Sequence, residues 1–263
     1  MGHVRLGDLP RTRRWQDVIG LIAAGAEPDQ VAGATLTAAE KALAHAYDDT
    51  GLTEAVWLLS QLPLAAKEGE FSKALRERGL DVSDNPSLAE IIGAVSDVID
   101  KRIGRNGHRT DLGEMAQMAC VETLSQVVGE RTTQLFSTTT SDIQRELGKF
   151  ATKAQFSEFA RQFFCRLTNR VLDYFVSRTL NDHVGAAQRF TTLTQKQEFS
   201  AALERHCEEA SRIVEDFSGG WFSKTNWEKD GIDRESARKF AGYAMKKLTG
   251  ELKAGARGVK NVD

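Results

Sequence analysis

Residues 141–180 read SDIQRELGKFATKAQFSEFARQFFCRLTNRVLDYFVSRTL. Within this stretch, large apolar side chains recur at steps of three and four residues, the spacing of one face of an α-helix. The stripe comprises Phe156, Phe159, Phe163, Phe164, Leu167, Val171, Tyr174 and Phe175. Because no proline interrupts the run, we predict one helix from about Lys153 to Leu180, roughly 40 Å long at ~1.5 Å per residue.

This Phe-rich segment is expected to lie at the centre of the fold. Each buried aromatic side chain contributes about 2–3 kcal/mol to stability, so other helices should pack around it. Leu172, Val176 and Leu180 form a second apolar row, and a helix that is apolar on several faces is covered on several faces. Alternation typical of strands is nearly absent. The sequence therefore predicts an all-α protein, a multi-helix bundle or helical array around a long central helix.

Charge is spread unevenly along the 263 residues, whose formal net charge is −2. Residues 37–101 carry twelve acidic and six basic side chains, whereas residues 149–189 carry seven basic and three acidic ones. The polar run Gly104–Arg109 separates these regions. It suggests an N-terminal acidic helical subdomain, residues 1–105, and a C-terminal helical subdomain, residues 106–263, with a basic centre; one continuous domain is the alternative. The two charged regions either attract each other or face two different partners.

The motifs of common enzyme and cofactor sites are missing from the sequence. It contains no phosphate-binding Gly-x-x-x-x-Gly-Lys-Ser/Thr, no Gly-x-Ser-x-Gly elbow, no Cys-x-x-Cys and no His-Glu-x-x-His. The run 206–209, His-Cys-Glu-Glu, holds metal-ligand residue types, but neighbouring helical side chains diverge by about 100°. We therefore expect no catalytic residue, no metal and no cofactor, and hence a protein that is not an enzyme.

Basic side chains form a candidate anion or nucleic-acid contact. They are Arg161, Arg166, Arg170 and Arg178 of the central segment, with Arg105 and Arg109 of the polar run. A pair of glycines beside these last two arginines could let the backbone cradle an anion. The alternative is that the arginines form ordinary surface ion pairs or a solvated turn. The small net charge argues against a strongly basic nucleic-acid binder, although a local patch is compatible with it.

Residues 221–227, WFSKTNW, form the most unusual local sequence. They follow Gly219 and Gly220, a pair that we expect to end a helix, so we predict an aromatic loop. Its candidate partner-binding residues are Trp221, Phe222, Lys224 and Trp227. Such a loop can supply the hot spots of a protein interface or stack on single-stranded nucleic acid. It can also fold back onto the bundle as a hydrophobic plug.

The cysteine content and the hydropathy indicate the compartment. Three widely spaced cysteines suit free thiols in a reducing environment, and no apolar run approaches the ~18 residues of a membrane span. We expect a cytoplasmic protein that does not enter a membrane. The preferred function is a non-enzymatic scaffold or adaptor subunit of a larger bacterial assembly, an antiviral defence system being one such assembly. The alternative is a helical nucleic-acid-binding protein that uses the basic centre.

Overall fold

The computed structural model of the protein describes residues 12–44, 48–105, 109–132, 138–228 and 231–258. Within these ranges the chain forms helices joined by short turns, and no β-strand occurs. The predicted all-α class is therefore confirmed. No helix in the described ranges is both long and apolar enough to cross a membrane.

The helices follow one another closely along the chain. In order they are α1 (Arg13–Ala23), α2 (Pro28–Ala38), α3 (Glu40–Ala44), α4 (Thr50–Ala65), α5 (Phe71–Glu77), α6 (Leu88–Arg105), α7 (Asp111–Thr123), a π-helical turn (Leu124–Val128), α8 (Gly129–Thr132), α9 (Thr140–Lys149), α10 (Lys153–Asp182), α11 (Leu193–Ala210), α12 (Arg212–Glu228) and α13 (Arg234–Gly258).

Helix α10 is the predicted Phe-rich helix, and its burial follows the predicted stripe. Phe159, Phe163, Leu167 and Val171 are almost completely buried, as are Phe156, Phe164, Leu172, Val176 and Leu180. Tyr174 departs from the pattern, because it is 38% exposed and its hydroxyl donates to Asp111 Oδ2 at 2.7 Å. The helix packs between α7 and α12, which explains why it is apolar on more than one face.

The remaining helices pack around a shared hydrophobic core. Helix α13 lies against α2 and α4, and α4 also contacts α6, α7 and α9. Elements on both sides of the predicted boundary at residue 105 thus contribute to one cluster of buried side chains. The division into two subdomains stays a prediction, and residues 106–108 at its boundary lie outside the described ranges.

The first turns of α4 and α7 meet at a pair of linked N-caps. Asp49 Oδ1 accepts from the backbone N–H of Leu52 at 2.8 Å, and Thr110 Oγ1 accepts from that of Gly113 at 2.9 Å. The Thr110 hydroxyl also donates to Asp49 Oδ2. A Cβ built on Gly51 would lie 2.6 Å from the Gly113 Cα, so glycine at both positions permits this close approach.

The expected helix end at Gly219 and Gly220 is wrong, and α4 also runs through a residue type that is disfavoured inside helices. Helix α4 continues through Pro63 to Ala65, although proline supplies no N–H donor. Helix α12 likewise continues through Gly219 and Gly220, so the predicted aromatic loop at residues 221–227 is part of a helix.

A contact from α10 explains the glycine at position 219. The Ser157 hydroxyl donates to the carbonyl of Glu215 and accepts from the N–H of Gly219, each at 3.1 Å. Since these two groups would pair with each other in a regular helix, the hydroxyl is inserted between them. A Cβ on Gly219 would overlap the Lys153 carbonyl oxygen, whereas one on Gly220 would meet nothing within 4 Å. Gly219 is therefore a site of close helix packing and not a helix end.

Candidate functional site

The four candidate partner-binding residues lie in the last turns of α12 but have different surroundings. Phe222 is 2% exposed and stacks on Phe156 of α10, with ring centroids 4.0 Å apart. Trp221 is half-buried, Lys224 is exposed, and Trp227 is 87% exposed. Lys224 Nζ lies 3.9 Å from the carboxylate of Glu228. The helix thus turns Phe222 into the core and presents Trp227 to solvent.

An open groove runs between α12 and α13, with a volume of about 360 Å³. It is lined by Phe217, Trp221 and Thr225 of α12 and by Ser236, Lys239, Phe240 and Tyr243 of α13. We refer to these seven residues as the aromatic groove. A concave apolar site with a few polar groups at its edges is the usual form of a binding pocket.

The rings of the aromatic groove hold one another in place. Trp221 stacks on Phe240, with centroids 4.0 Å apart and planes inclined by 14°. Phe217 meets Tyr243 edge to face at 4.9 Å and Phe240 at 5.9 Å. Such contacts between neighbouring aromatic rings each contribute about 0.5–1.5 kcal/mol beyond area burial. The apolar walls are therefore preorganised before anything binds.

Polar and charged groups border the aromatic groove. Lys239 Nζ lies 3.3 Å from the Glu235 carboxylate, and both side chains are exposed. Lys247 Nζ lies 5.6 Å from the centroid of the Tyr243 ring, which is 47% exposed. The accessible edge of the groove is consequently aromatic at Tyr243 and basic at the two lysines.

Sequence reasoning identified Trp221 but missed Phe217, Lys239, Phe240 and Tyr243. Phe217 and Trp221 are i, i+4 neighbours on α12, and the two aromatics of α13 are i, i+3 neighbours. This spacing is visible in the sequence once the helix is allowed to continue through the glycine pair. The expected helix end at Gly219 placed Phe217 and Trp221 in different elements, so their shared helix face was missed.

The basic residues of α10 are largely engaged with other parts of the same chain. Arg161 lies 2.9 Å from Glu215 of α12, and Arg170 lies 2.7 Å from Glu122 of α7. Arg166 donates to the carbonyl and the side-chain oxygen of Gln162 at 2.9 and 2.8 Å. Arg161 and Arg170 thus join α10 to its neighbouring helices.

Arg105 and Arg109 lie outside α10. Arg109 pairs with Asp100 at 2.5 Å and with Glu114 at 3.3 Å, which links α6 to α7. Arg105 is exposed at the end of α6. Arg178 belongs to α10, but its side chain is outside the described part of the structure. The candidate arginines thus come from different elements, and their contact with an anion or nucleic acid stays a prediction.

Several acidic residues of the first half pair with α13 and not with the basic centre. Asp48 lies 2.7 Å from Arg238, Glu54 lies 2.7 Å from Arg234, and Glu40 lies 3.2 Å from Lys253. These ion pairs join the first half of the chain to its last helix, whereas the sequence-based interpretation was an attraction between the first half and the basic centre.

Neither a metal cluster nor a reactive thiol emerges from the described residues. No three His, Cys, Asp or Glu side chains in these ranges converge as a metal site requires. All three cysteines are free thiols. Burial raises the pKa of each thiol above its ordinary value, with Cys120 and Cys207 the most strongly affected. They remain protonated at neutral pH and are weak nucleophiles.

The fold and the groove define an all-helical protein with a preformed aromatic slot on its surface. No protein-family model matches the chain, and searches of curated proteins and of solved structures likewise find no match. The aromatic groove is therefore the feature of the molecule that indicates a binding function.

Proposed function

We propose that the protein is a non-enzymatic adaptor or scaffold subunit, and that the aromatic groove is its contact with a protein partner. The open slot formed by Phe217, Trp221, Phe240 and Tyr243 carries this proposal. Interface hot spots are enriched in Trp and Tyr, and they lie in packed pockets that exclude water when the partner binds. The groove offers these residue types on two helices that hold them rigidly.

Trp227 extends the same proposal beyond the groove. An indole that is 87% exposed gains much by burial, because aromatic side chains bury about 150–250 Å² each. It lies at the end of α12 and does not line the groove. We propose that it supplies a second contact at the margin of the interface.

The proposed assembly is cytoplasmic and bacterial, an antiviral defence system being one such assembly. Three free cysteines support the reducing compartment, because disulfides are rare in the cytosol.

Affinity capture from the native host, followed by mass spectrometry, tests the adaptor function. The wild-type chain should capture a defined partner, and Tyr243→Glu should lose it, because the new carboxylate lies at the mouth of the groove. Leu193→Glu is the matched control, since Leu193 is 66% exposed on another helix. If all three proteins capture the same set of proteins, the groove is not the contact.

Nucleic-acid binding through α10 is the alternative function, and it has weaker support. Arg161 and Arg170 already hold ion pairs with Glu215 and Glu122, so phosphate contacts would have to replace these bonds. A gel-shift titration at low salt tests it, because phosphate contacts strengthen as salt falls. Retardation of DNA or RNA that is lost when Arg161, Arg166 and Arg170 become alanine would favour the alternative.

A further inference from the structure

Helix α13 has an uneven distribution of charge around its circumference. Three of its basic residues, Arg234, Arg238 and Lys253, pair with acids of the first half of the chain. The other lysines, Lys239, Lys246 and Lys247, are exposed. With Tyr243 they occupy positions i, i+4, i+7 and i+8, which share one face of a helix. The aromatic groove is therefore bordered by a row of lysines.

Few acids offset this row. Within residues 234–258 the acids are Glu235 and Glu251. The Glu235 carboxylate is already held by Arg238 at 2.8 Å and by Lys239 at 3.3 Å. The excess of lysines along this face of α13 therefore favours a ligand that brings its own negative charge.

We propose that the aromatic groove binds an acidic segment of a protein partner, an inference that rests on the adaptor function. One large apolar side chain of the segment, aromatic or aliphatic, enters the slot between Trp221 and Tyr243. Its carboxylates lie beside Lys239, Lys246 and Lys247. The slot volume of about 360 Å³ suits a single large side chain more than an extended apolar surface.

The ring geometry favours a peptide over single-stranded nucleic acid. A base stacks on an exposed aromatic face. In the groove, one face of Trp221 is covered by Phe240 at 4.0 Å, and the Tyr243 ring already makes an edge-to-face contact with Phe217. A side chain that fills the space between the rings needs no free stacking face. Thr225, which is partly exposed, also lines the groove.

Fluorescence anisotropy with labelled synthetic peptides tests this inference directly. The probe is a short peptide of Glu, Asp and Ser around a central Phe. Its Phe→Ala version should bind at least ~10-fold more weakly, because the apolar anchor is lost. A version with Lys in place of the acids should bind at least ~10-fold more weakly as well, and raising the salt should weaken the acidic probe.

Charge reversal on the protein supplies the matched control. Lys239→Glu combined with Lys247→Glu should weaken the acidic peptide at least ~10-fold and strengthen the basic one. Lys67→Glu combined with Lys101→Glu makes the same change in net charge at exposed positions outside the groove, and should alter both affinities little. The unfolding temperatures of both variants establish that they remain folded.

Several outcomes would overturn the inference. These are failure of the acidic peptide to bind, equal binding of the acidic and basic peptides, and equal losses in the two double variants. An oligo-dT that binds more tightly than the acidic peptide, and depends on Lys239 and Lys247, would assign the groove to nucleic acid instead. If no peptide binds while capture from the host still depends on Tyr243, the acidic segment is wrong and the adaptor function stands. If capture finds no partner either, the acidic segment and the adaptor function are both wrong.

Discussion

Arg234 donates two hydrogen bonds to the Glu54 carboxylate, each 2.7 Å long, across the contact between α13 and α4. Glu54 is 1% exposed, so the carboxylate depends on this partner for compensation of its charge. The guanidinium also lies 3.6 Å from the centroid of the Trp57 ring. The Trp57 indole in turn donates to the carbonyl of Ile232 at 2.9 Å. These contacts fix the start of α13, the helix that forms one wall of the aromatic groove.

Arg234→Ala should lower the free energy of unfolding by about 2–3 kcal/mol, because it leaves a buried carboxylate without its main partner. The loss lies at or just below the usual ~3–5 kcal/mol for a buried pair, since Arg102 Nε is 3.7 Å from the same carboxylate. Urea unfolding followed by circular dichroism measures it. Lys73→Ala breaks an exposed pair with Glu70 and should leave the midpoint almost unchanged. Equal effects of the two substitutions would contradict this account.

The adjacent glycines of α12 should respond in opposite ways to alanine. Gly219→Ala places a Cβ against the Lys153 carbonyl and the inserted Ser157 hydroxyl, so we expect a loss of at least about 1 kcal/mol. Gly220→Ala meets no neighbour and should be neutral or stabilising by up to ~1 kcal/mol, because alanine is the better helix former. Thermal unfolding of both variants measures the difference. Equal changes would mean that α12 is not in close contact with α10 at this point.

These glycines also mark what sequence reasoning could predict and what it could not. The course of α10 follows from local periodicity, since the spacing of Phe156, Phe159 and Phe163 depends only on the segment itself. The need for glycine at position 219 comes from the contact with α10 at Ser157, which is 62 positions away in the chain. Glycine at a helix end and glycine at a close helix contact look alike in a sequence. Only the tertiary neighbour separates them.

The candidate site could be predicted only in part, because it too depends on contacts between segments that are distant in the chain. The aromatic character of residues 221–227 indicated a binding surface, and Trp221 does line the groove. Phe240 and Tyr243 come from a different helix, so their position beside Trp221 depends on how α12 and α13 pack. The ion pairs of the α10 arginines could not be predicted, because the sequence does not show which arginine lies beside Glu215 or Glu122.

The linked N-caps of α4 and α7 should make stability depend on pH through Asp49. Burial raises the pKa of this carboxyl above its ordinary value of 3.8, although hydrogen bonds from Thr110 and Leu52 act in the opposite direction. The folded state therefore holds the proton more tightly than the unfolded state does. As pH rises above 3.8 through the folded pKa, ionisation costs the folded state more, and the contribution of this group to stability falls.

Asp49→Asn removes this ionisation and keeps a side-chain acceptor for the N-cap. The stability of the variant relative to wild type should therefore increase as pH rises from acid to neutral, as measured by urea unfolding at each pH. Asp142→Asn is the opposite case. Hydrogen bonds from Thr139 and Arg145 lower the pKa of Asp142 to about 2, so its contribution is present above 3.8 and is lost as pH falls towards 2. If the stability of both variants relative to wild type changed with pH in the same direction, the opposite pKa shifts of Asp49 and Asp142 would be refuted.

The two tryptophans of α12 should separate folding from binding. Trp221 stacks on Phe240 and is half-buried, so Trp221→Ala should lower the unfolding temperature by several degrees. Trp227 is 87% exposed, and Trp227→Ala should leave that temperature nearly unchanged. Differential scanning calorimetry of both variants measures these effects.

Partner capture by the same proteins measures the contribution of each tryptophan to binding. Trp227→Ala should reduce capture while the protein stays as stable as wild type, because its indole contributes only when a partner covers it. Trp227→Phe, which keeps an aromatic ring at this position, should retain most of the capture. If Trp227→Ala captures the partner as well as wild type does, the exposed indole is not part of the interface. The contact is then confined to the aromatic groove, where Tyr243→Glu must still abolish it.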